Sequence, residues 1–345
     1  MSRALSLAAV LVGAASSTSA HAEETETKIT PGLEVIGQYS FRRTTGDQGA
    51  TKWFHQFDLP RAFLYVDGER GPVHGRVLVE GVRSAGEGAL IGVGGDSVVM
   101  RVREAYAGYR PFEWLDVRLG LVPTFVVPTL DKAWRLRALG PVSAEERGLL
   151  SPADLGAQLR VKLPLEYGEV FLGFTNGEGY TSRELGRGKT SELGIAIHPV
   201  PGGALAPLTV IGAFGLGATG TIQARADRAT FGLHWIDKMV RGGASFTYAF
   251  GADDIGARRA YVADVGLRVE PIRHLLFAAR ASIWQRDTSV SSNKITSAQL
   301  AVGGTPDDAL EGWFSLFLHS PGAEAQVAVP GSKYWELRAT AKIAF

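Results

Sequence analysis

Basic side chains at alternating positions are the residues of this sequence whose types and spacing could do chemistry. Arginine binds phosphate and carboxylate groups through two parallel hydrogen bonds, and several arginines around a narrow aqueous passage attract anions. The candidates in the first half of the chain are Arg61, His74, Arg76, Arg101, Arg103, Arg118, Arg160 and Lys162. Carboxylates at Glu80, Glu104 and Asp116 lie among the same segments. A solvated wall of salt-bridged charges is therefore the alternative interpretation of each arginine.

Three of these residues raise a question about the backbone. Arg101 and Arg103 share one face of their segment, whereas Glu104 has the other parity. A β-bulge would bring all three to one face because it adds an unpaired residue to the strand. The sequence itself does not show such a bulge.

A second basic cluster lies in a long irregular interval, residues 123–154. Prolines at positions 123, 128, 141 and 152 prevent a long regular element there. Lys132, Arg135 and Arg137 precede Gly140, and acidic residues follow at positions 145 and 146. If this interval enters a lumen, the three cations set a positive field at its narrowest point. Otherwise it lies over the mouth with its charges in water.

Covalent and metal chemistry find no support in the sequence. Cysteine is absent, which excludes disulfides, thiolate metal ligands and cysteine nucleophiles. The histidines after residue 22, at positions 55, 74, 198, 234, 274 and 319, do not pair at metal-ligand spacing. No Gly-x-Ser-x-Gly elbow occurs. We therefore predict no catalytic residues, no metal and no cofactor.

Composition and the N-terminus indicate an exported protein in one piece. Residues 1–22 have the form of a cleaved secretory signal, with Arg3, an apolar run and a small-x-small site at Ala20-His21-Ala22. Without Arg3 the chain holds as many basic as acidic residues, because the whole sequence has 36 Lys and Arg against 35 Asp and Glu. This balance argues against a nucleic-acid partner. Residues 23–345 are predicted to form a single domain.

Apolar and polar residues alternate from residue 31 to the C-terminus, which predicts β-strands with one apolar and one polar face. About sixteen segments have this pattern, an even number such as single-chain bacterial barrels have. They are 33–41, 57–66, 73–81, 98–109, 115–121, 155–163, 170–175, 190–198, 208–216, 230–236, 240–250, 261–270, 275–284, 295–302, 309–319 and 334–345.

The connections alternate in length as well. Short turns at 67–72, 110–113, 164–168, 237–239 and 271–273 separate longer loops at 43–53, 84–96, 177–189, 251–258, 287–293 and 319–333. Short turns at one end and long loops at the other are typical of an outer-membrane barrel. The interval 123–154 falls on the long-loop side, as the third such loop.

The last segment supports a transmembrane barrel more directly than the others. Its apolar face ends at Phe345 and its other face is charged, which suits lipid outside and a wet lumen inside. Strands in lipid must close into a barrel because no backbone group can be left unpaired. Trp114, Trp235, Trp284 and Trp335 lie near segment ends, where aromatic girdles are expected. A secreted β-sandwich or β-helix is the alternative.

Residues 57–165 resemble the phosphate-selective porin O/P family. The residues that carry the resemblance are the run REAYAGY at 103–109, Trp114-Leu115, Gly120, Pro123, Phe125, Arg61-Ala62-Phe63-Leu64 and Asp154-Leu155-Gly156. The resemblance implies a trimeric, roughly sixteen-stranded outer-membrane channel whose third loop folds into the lumen. The neutral charge balance of the chain departs from a strongly anion-binding pattern.

We therefore expect an all-β transmembrane barrel that acts as an outer-membrane porin for small hydrophilic solutes, with a preference for anions or phosphate. Its partners would be small anions, outer-membrane lipid and two further copies of the chain. The expected pore-lining residues are Arg61, Arg76, Arg103, Arg118, Lys132, Arg135, Arg137, Arg160 and Lys162. The alternatives are a general mixed-charge porin with weak selectivity, a lipid-acting barrel enzyme and a plugged structural barrel.

Overall fold

The computed structural model describes residues 26–45, 51–83, 98–182, 188–219, 222–252, 256–323, 325 and 333–345. The predicted signal at 1–22 lies outside these residues. The strands are β1 (Lys28–Thr45), β2 (Thr51–Arg70), β3 (Val73–Arg83), β4 (Val98–Phe112), β5 (Leu115–Pro123), β6 (Ala153–Lys162), β7 (Gly168–Thr175), β8 (Thr190–Ile197), β9 (Leu208–Leu216), β10 (Ala218–Thr219), β11 (Ala224–Arg225), β12 (Arg228–Ile236), β13 (Val240–Ala249), β14 (Ala260–Ile272), β15 (Leu275–Gln285), β16 (Lys294–Asp307), β17 (Leu310–Pro321) and β18 (Lys333–Ala344). Two helices, α1 (Val126–Trp134) and α2 (Ser143–Glu146), lie between β5 and β6.

Sixteen of these strands form one closed antiparallel barrel, in which each strand pairs with its neighbours along the chain. The two short strands β10 and β11 pair separately as a small hairpin. Closure joins β18 to β1, and Leu33 and Phe345 exchange both backbone hydrogen bonds at 2.7 and 3.0 Å. The predicted fold class and the sixteen predicted segments are confirmed.

The alternation in sequence becomes an apolar outer surface and a polar lumen. On β5, Leu119 is 68% exposed on the outside, while Asp116 on the other face is 9% exposed. A closed barrel leaves no strand edge unpaired, which is the requirement for strands that cross a membrane. No helix among the described residues is long and apolar enough to cross a membrane.

Two bulges shift this alternation where the sequence pattern is irregular. Pro60 lies in a bulge of β2, at the register shift between Ile36 and Gln38 of β1, where its missing N–H removes no ladder bond. On β4, Glu104 is opposite Leu78, whereas Val102 is opposite Val79. Arg103 is therefore the extra residue of a bulge, and this brings Arg101, Arg103 and Glu104 to the lumen together.

The long third loop folds into the barrel, as predicted from the resemblance. Residues 124–152 contain α1, a turn of 3-10 helix at Arg137–Leu139 and α2. Phe125, Leu130 and Trp134 are at most 1% exposed. They are buried because they pack against side chains of the inner barrel wall.

The prediction of an aromatic girdle is wrong for one of its members, Trp284. Trp114 and Trp235 are exposed, but the ring of Trp284 lies 5.2 Å below the guanidinium of Arg147, a residue of the loop. Trp284 therefore faces the lumen, because it occupies an inward position of β15 next to Ile283, which is exposed.

Candidate functional site

The lumen wall has two chemically different halves. Strands β7–β9 and β12–β17 present many apolar inward side chains, including Phe171, Ala196, Ile211, Leu276, Ala278, Ala301 and Trp313. Strands β18 and β1–β6 instead present charged ones, including Glu34, Arg42, Arg61, Arg76, Glu80, Arg101, Arg103, Glu104, Asp116, Arg118, Arg160, Glu336, Arg338 and Lys342. Water is therefore expected to fill the part of the lumen next to the charged half of the wall.

The third loop covers the apolar half through close aromatic contacts. The rings of Phe125 and Phe171 stack with centroids 5.4 Å apart. Phe125 also lies over Gly194 of β8, where a Cβ would approach its ring to 2.3 Å. The indole N–H of Trp134 donates to His234 Nδ1 at 2.8 Å. Glycine at the inward position 194 leaves the space that the Phe125 ring occupies, so the inner wall accommodates the loop.

Wall arginines also bind backbone carbonyls of the loop. Arg268 donates to Arg135 O at 2.8 Å, just beyond the end of α1. Arg280 and Arg228 donate to Pro141 O at 2.5 Å and Leu149 O at 2.9 Å. The carbonyls at the end of a helix have no partners within it, and cations there also interact favourably with its dipole. These bonds fix the path of the loop.

A second anchor joins α2 to strands β14 and β15. The backbone N–H and the hydroxyl of Ser143 both donate to the buried carboxylate of Asp264, at 2.9 and 2.7 Å. Arg280 donates to the Ser143 hydroxyl at 3.0 Å. Every partner in this group is satisfied, so the loop is held at both of its helices.

A cluster of arginines surrounds one carboxylate on the charged half. Glu80 of β3 is fully buried and accepts from Arg101 at 2.5 Å and from Arg103 at 3.3 Å. Arg61 lies 3.6 Å away, and the hydroxyl of Tyr180 donates to Glu80 at 2.5 Å. The bulge at Arg103 is what allows Arg101 and Arg103 to reach the same carboxylate.

The loop reaches this cluster through Glu145. Its carboxylate accepts from Arg137 at 2.5 and 3.0 Å and from Arg61 at 3.1 Å, and Arg103 lies 3.8 Å away. Burial alone would raise the pKa of Glu145, but the neighbouring guanidiniums outweigh it and lower that pKa to about 2. Arg137 also binds Asp131 at 2.8 Å. At neutral pH this bridge between loop and wall is fully ionised.

The remaining wall candidates lie nearer the short-turn end, and most are paired. Arg76 binds Asp67 at 2.6 and 2.8 Å, and Arg118 binds Asp116 at 3.0 and 2.7 Å. His74 shares Asp116 at 2.8 Å, and Arg160 lies 3.4 Å from Glu169. Lys162, at the end of β6, is exposed and has no carboxylate within ion-pair distance among the described residues.

The three loop cations do not share one site. Arg137 lies in the ion-pair bridge, whereas Lys132 and Arg135 are exposed on the part of the loop that Arg241 and Arg268 contact. Arg241 donates to Lys132 O at 3.4 Å. In the described part of the chain neither Lys132, Arg135 nor Arg241 has a carboxylate within ion-pair distance. The αL conformation of Arg135, with φ of 51°, turns the chain between the two groups.

Several residues of the site were missed from the sequence. Arg228, Arg241, Arg268 and Arg280 alternate with apolar residues on their strands, so the same periodicity that selected the first-half arginines could have found them. Tyr180 lies in a loop without regular spacing, and its contact with Glu80 spans 100 residues. No local signal indicates it.

Two of the cavities formed by the described residues lie in the lumen beside the loop. The larger, about 270 Å³, lies between the loop and strands β6–β12 and is lined by Asp154, Glu192 and Arg228 among others. The smaller, about 80 Å³, lies between the loop and strands β15–β18, next to Arg280 and Arg338. Both volumes suit small solutes. In the described ranges, no group of three or more metal-binding side chains is arranged around a common point.

Comparison with solved structures finds outer-membrane channels of similar fold. The anion-selective porin from Comamonas acidovorans aligns with a TM-score of 0.63 at 13% identity, over 93% of this chain and 100% of that one. OmpF of Salmonella typhi aligns with 0.64 at 14% identity, over 92% and 98%. OmpT of Vibrio cholerae in its trimer form aligns with 0.56 at 12% identity, over 92% and 99%. No family model and no curated protein matches the sequence.

Proposed function

We propose that this chain is an outer-membrane porin through which small hydrophilic solutes diffuse, with a preference for anions. The observation that carries the proposal is the division of the lumen. An inward loop occupies the apolar half of the wall and leaves the arginine-rich half facing the passage. Width and charge at such a constriction determine which solutes pass. The similar folds of known porins support the same function and an outer-membrane location.

The anion preference is supported by cations that lack a close counterion. Most wall arginines are neutralised by a carboxylate within 4 Å. Lys132, Arg135, Arg241 and Lys162 are not neutralised in this way within the described residues. Asp237 acts on Arg241 only from a longer distance. Three of these four cations, Lys132, Arg135 and Arg241, lie on the loop and the wall beside it, and Lys162 lies at the short-turn end of β6. The positive excess is therefore concentrated near the loop and is smaller in the paired array on β2–β5.

A preference for phosphate among anions is the finer part of the proposal. It is supported by the resemblance of residues 57–165 to the phosphate-selective porin O/P family and by the ability of guanidinium groups to bind phosphate through two bonds. The similarity of the fold to an anion-selective porin is consistent with it.

A general porin with weak selectivity is the second candidate. It is favoured by the complete pairing of Glu80 and Glu145 with arginines, which reduces the net charge at the constriction.

The assembly and processing of the chain are proposed on separate grounds. A homotrimer is supported by the trimer form of a protein with a similar fold. Cleavage after residue 22 is supported by the sequence of the N-terminus.

The test is a single-channel measurement in a planar bilayer. Regular open-channel steps are expected, with a reversal potential in a chloride gradient that indicates anion current, and added phosphate is expected to reduce chloride flow. No steps would contradict the porin, as a plugged barrel or an enzyme would give none. A mainly cationic current would contradict the anion preference. If added phosphate did not change the chloride flow, the weakly selective porin would be the remaining interpretation.

A triple variant locates the source of selectivity. Replacing Lys132, Arg135 and Arg241 with glutamine is expected to reduce the anion preference because it removes the unneutralised cations of the loop region. The matched control replaces Arg70, Lys238 and Arg273, three exposed cations at the short turns. Equal effects of the two triples would show that selectivity follows overall charge.

A further inference from the structure

At the long-loop end, the outer face of one part of the barrel carries charges of a single sign. In the long-loop halves of β15–β18 and β1 the outward positions hold Arg43, Lys294 and Lys333, whereas the outward carboxylate of Asp307 lies at the opposite, short-turn end of β16. All three are basic, exposed and close to the long-loop ends of their strands. In the portion of the chain that the structure describes, none of them has a carboxylate within ion-pair distance. Charge on an outward wall is unfavourable in hydrocarbon, so it indicates an anionic neighbour.

A groove on the same outer face begins at two of these cations, Arg43 and Lys333. It has a volume of about 530 Å³ and runs from β15 to β1. Small outward residues form its floor, including Ala281, Ala298 and Thr296, which lie on adjacent strands in register. Ile283, Leu318 and Trp335 form its sides, and Arg43 and Lys333 line one end. No carboxylate lines it among the residues that the structure describes.

Aromatic rings place the cations at the level of lipid headgroups. Phe41, Trp53 and Trp335 cluster with ring centroids 5.3 to 6.0 Å apart. The Arg43 guanidinium lies 5.4 Å above the Trp53 ring. Tryptophan is enriched at the boundary between hydrocarbon and headgroups. A groove that runs from this level toward the middle of the barrel has the shape and polarity of a site for an acyl chain.

We propose that this groove binds a phosphate-bearing lipid of the leaflet at the long-loop end. The headgroup phosphate lies on Arg43 and Lys333 at the end of the groove, Lys294 adds positive charge from the same end of the outer face, and one acyl chain fills the groove beside Ala298. Lysine and arginine near a membrane surface attract anionic lipid, and a buried chain adds apolar contact area. The proposal depends on the barrel and its outer face, and is independent of which solutes the lumen conducts.

The proposal is tested by native mass spectrometry of the full chain released from mixed micelles. The micelles contain dipalmitoyl phosphatidic acid or phosphatidylcholine with the same chains. The parent protein is expected to retain phosphatidic acid in preference. The variant Arg43→Gln/Lys294→Gln/Lys333→Gln is expected to bind it roughly a hundredfold more weakly, since each basic residue near an anionic surface contributes about fivefold.

A second variant and two controls complete the test. Ala298→Phe keeps all charges but fills the groove, and should weaken the retention of both lipids. Inorganic phosphate at the lipid concentration should not displace phosphatidic acid because it has no chain. The control triple at Arg70, Lys238 and Arg273 should bind like the parent. Heat-dependent gel migration checks that each barrel has folded.

Several outcomes would overturn the proposal. Unchanged retention in the outer-face triple would do so, as would an equal loss in the control triple. If inorganic phosphate displaced phosphatidic acid, the acyl chain in the groove would contribute nothing to binding. If the outer-face triple changed the number of subunits and left lipid retention unchanged, the groove would be a contact between copies of the chain.

Discussion

At the scale of single residues, two carboxylates act as the counterions of the constriction. Glu80 belongs to the wall and Glu145 to the loop, and both are surrounded by guanidinium groups. Removing one partner of a buried ion group leaves the other charges uncompensated, which costs more than the pair contributes. These two residues therefore control both the charge and the geometry of the narrow region.

Replacing Glu145 with glutamine should increase the anion preference. Arg61 and Arg137 then lose a counterion in the passage. One unit charge at about 4 Å in water is worth about 1 kcal/mol, so the anion-to-cation permeability ratio should rise roughly fivefold. Reversal potentials in a salt gradient provide the measurement.

Glu146→Gln is the matched control for this change. Glu146 is the neighbouring carboxylate, its side chain is 41% exposed, and within the described residues it forms one ion pair, to Arg147 at 3.7 Å. The Glu146→Gln substitution removes the same unit charge as Glu145→Gln and leaves the contacts of the arginine cluster unchanged. If both variants behave alike, Glu145 has no special role in selectivity.

Acid titration should leave the bridge between loop and wall intact over an unusually wide range. The ordinary pKa of a glutamate is 4.5, and that of Glu145 in the folded chain is about 2. A lowered pKa stabilises the fold fully above the ordinary value, and this contribution disappears as pH falls through the folded value. The extra stability should therefore persist at pH 4.5 and above and be lost toward pH 2.

Urea unfolding of the parent and the Glu145→Gln variant at several pH values checks this. The difference in unfolding free energy should be constant from neutral pH down to about 4.5 and should shrink as the pH falls toward 2. A difference that already vanished near pH 5 would contradict the ionised bridge.

At the scale of elements, the third loop is held by shape and by hydrogen bonds together. Phe125 and Trp134 of the loop lie over the wall glycines Gly194 and Gly266, and Phe125 also stacks on the ring of Phe171. Wall arginines bind backbone carbonyls of the loop, one at the C-terminal end of α1 (Arg135 O) and two in the irregular segments on either side of α2 (Pro141 O and Leu149 O). The loop is therefore a fixed part of the wall, and the width of the passage follows from its position.

Gly194→Ala should push the loop away from β8 and narrow the passage. The added Cβ would lie 2.3 Å from the Phe125 ring, so the ring must shift, and overpacking of this kind costs about 1–3 kcal/mol. Single-channel conductance is expected to fall. Gly37→Ala is the control, since no atom lies within 4 Å of a Cβ at that position.

An unchanged conductance in Gly194→Ala, with a normally folded barrel, would show that Phe125 does not determine the position of the loop. A change of the same size in Gly37→Ala would show that glycine replacement acts through the strands.

At the scale of the whole molecule, closure of the barrel depends on the last strand. Register between β18 and β1 extends from Glu34 opposite Ala344 to Thr45 opposite Lys333. The C-terminal residue adds two further backbone bonds to Leu33. Because a barrel has no free edge, every strand pair must form, and the last pair completes the structure.

Deleting Phe345 should lower the resistance to unfolding. Two backbone hydrogen bonds are lost, each worth about 0.5–1.5 kcal/mol. The urea midpoint of the reconstituted barrel is the measurement. Phe345→Ala keeps the backbone bonds and loses only the exposed ring, so it separates the two contributions. A deletion that unfolds at the same midpoint as the parent would contradict a role in closure.

Period-two alternation and the lengths of connections determined the architecture from the sequence alone. Side chains alternate across a strand by geometry, so an apolar and a polar face can be identified without a structure. The number of strands, the polarity of the lumen and the long-loop side followed from this pattern. The same pattern predicted lumen positions for Arg61, Arg76, Arg118 and Arg160.

Only the tertiary structure decided which charges meet. Arg103 reaches Glu80 because of a bulge that shifts parity, and Glu145 reaches Arg61 across 84 residues. Lys132 and Arg135 were expected beside Arg137, but a left-handed residue turns them away from it. Such contacts depend on how a loop packs against a distant wall, and local periodicity contains no information about that packing. The sequence thus determined the barrel and its basic lumen, and the folded loop determined which of its cations remain unpaired.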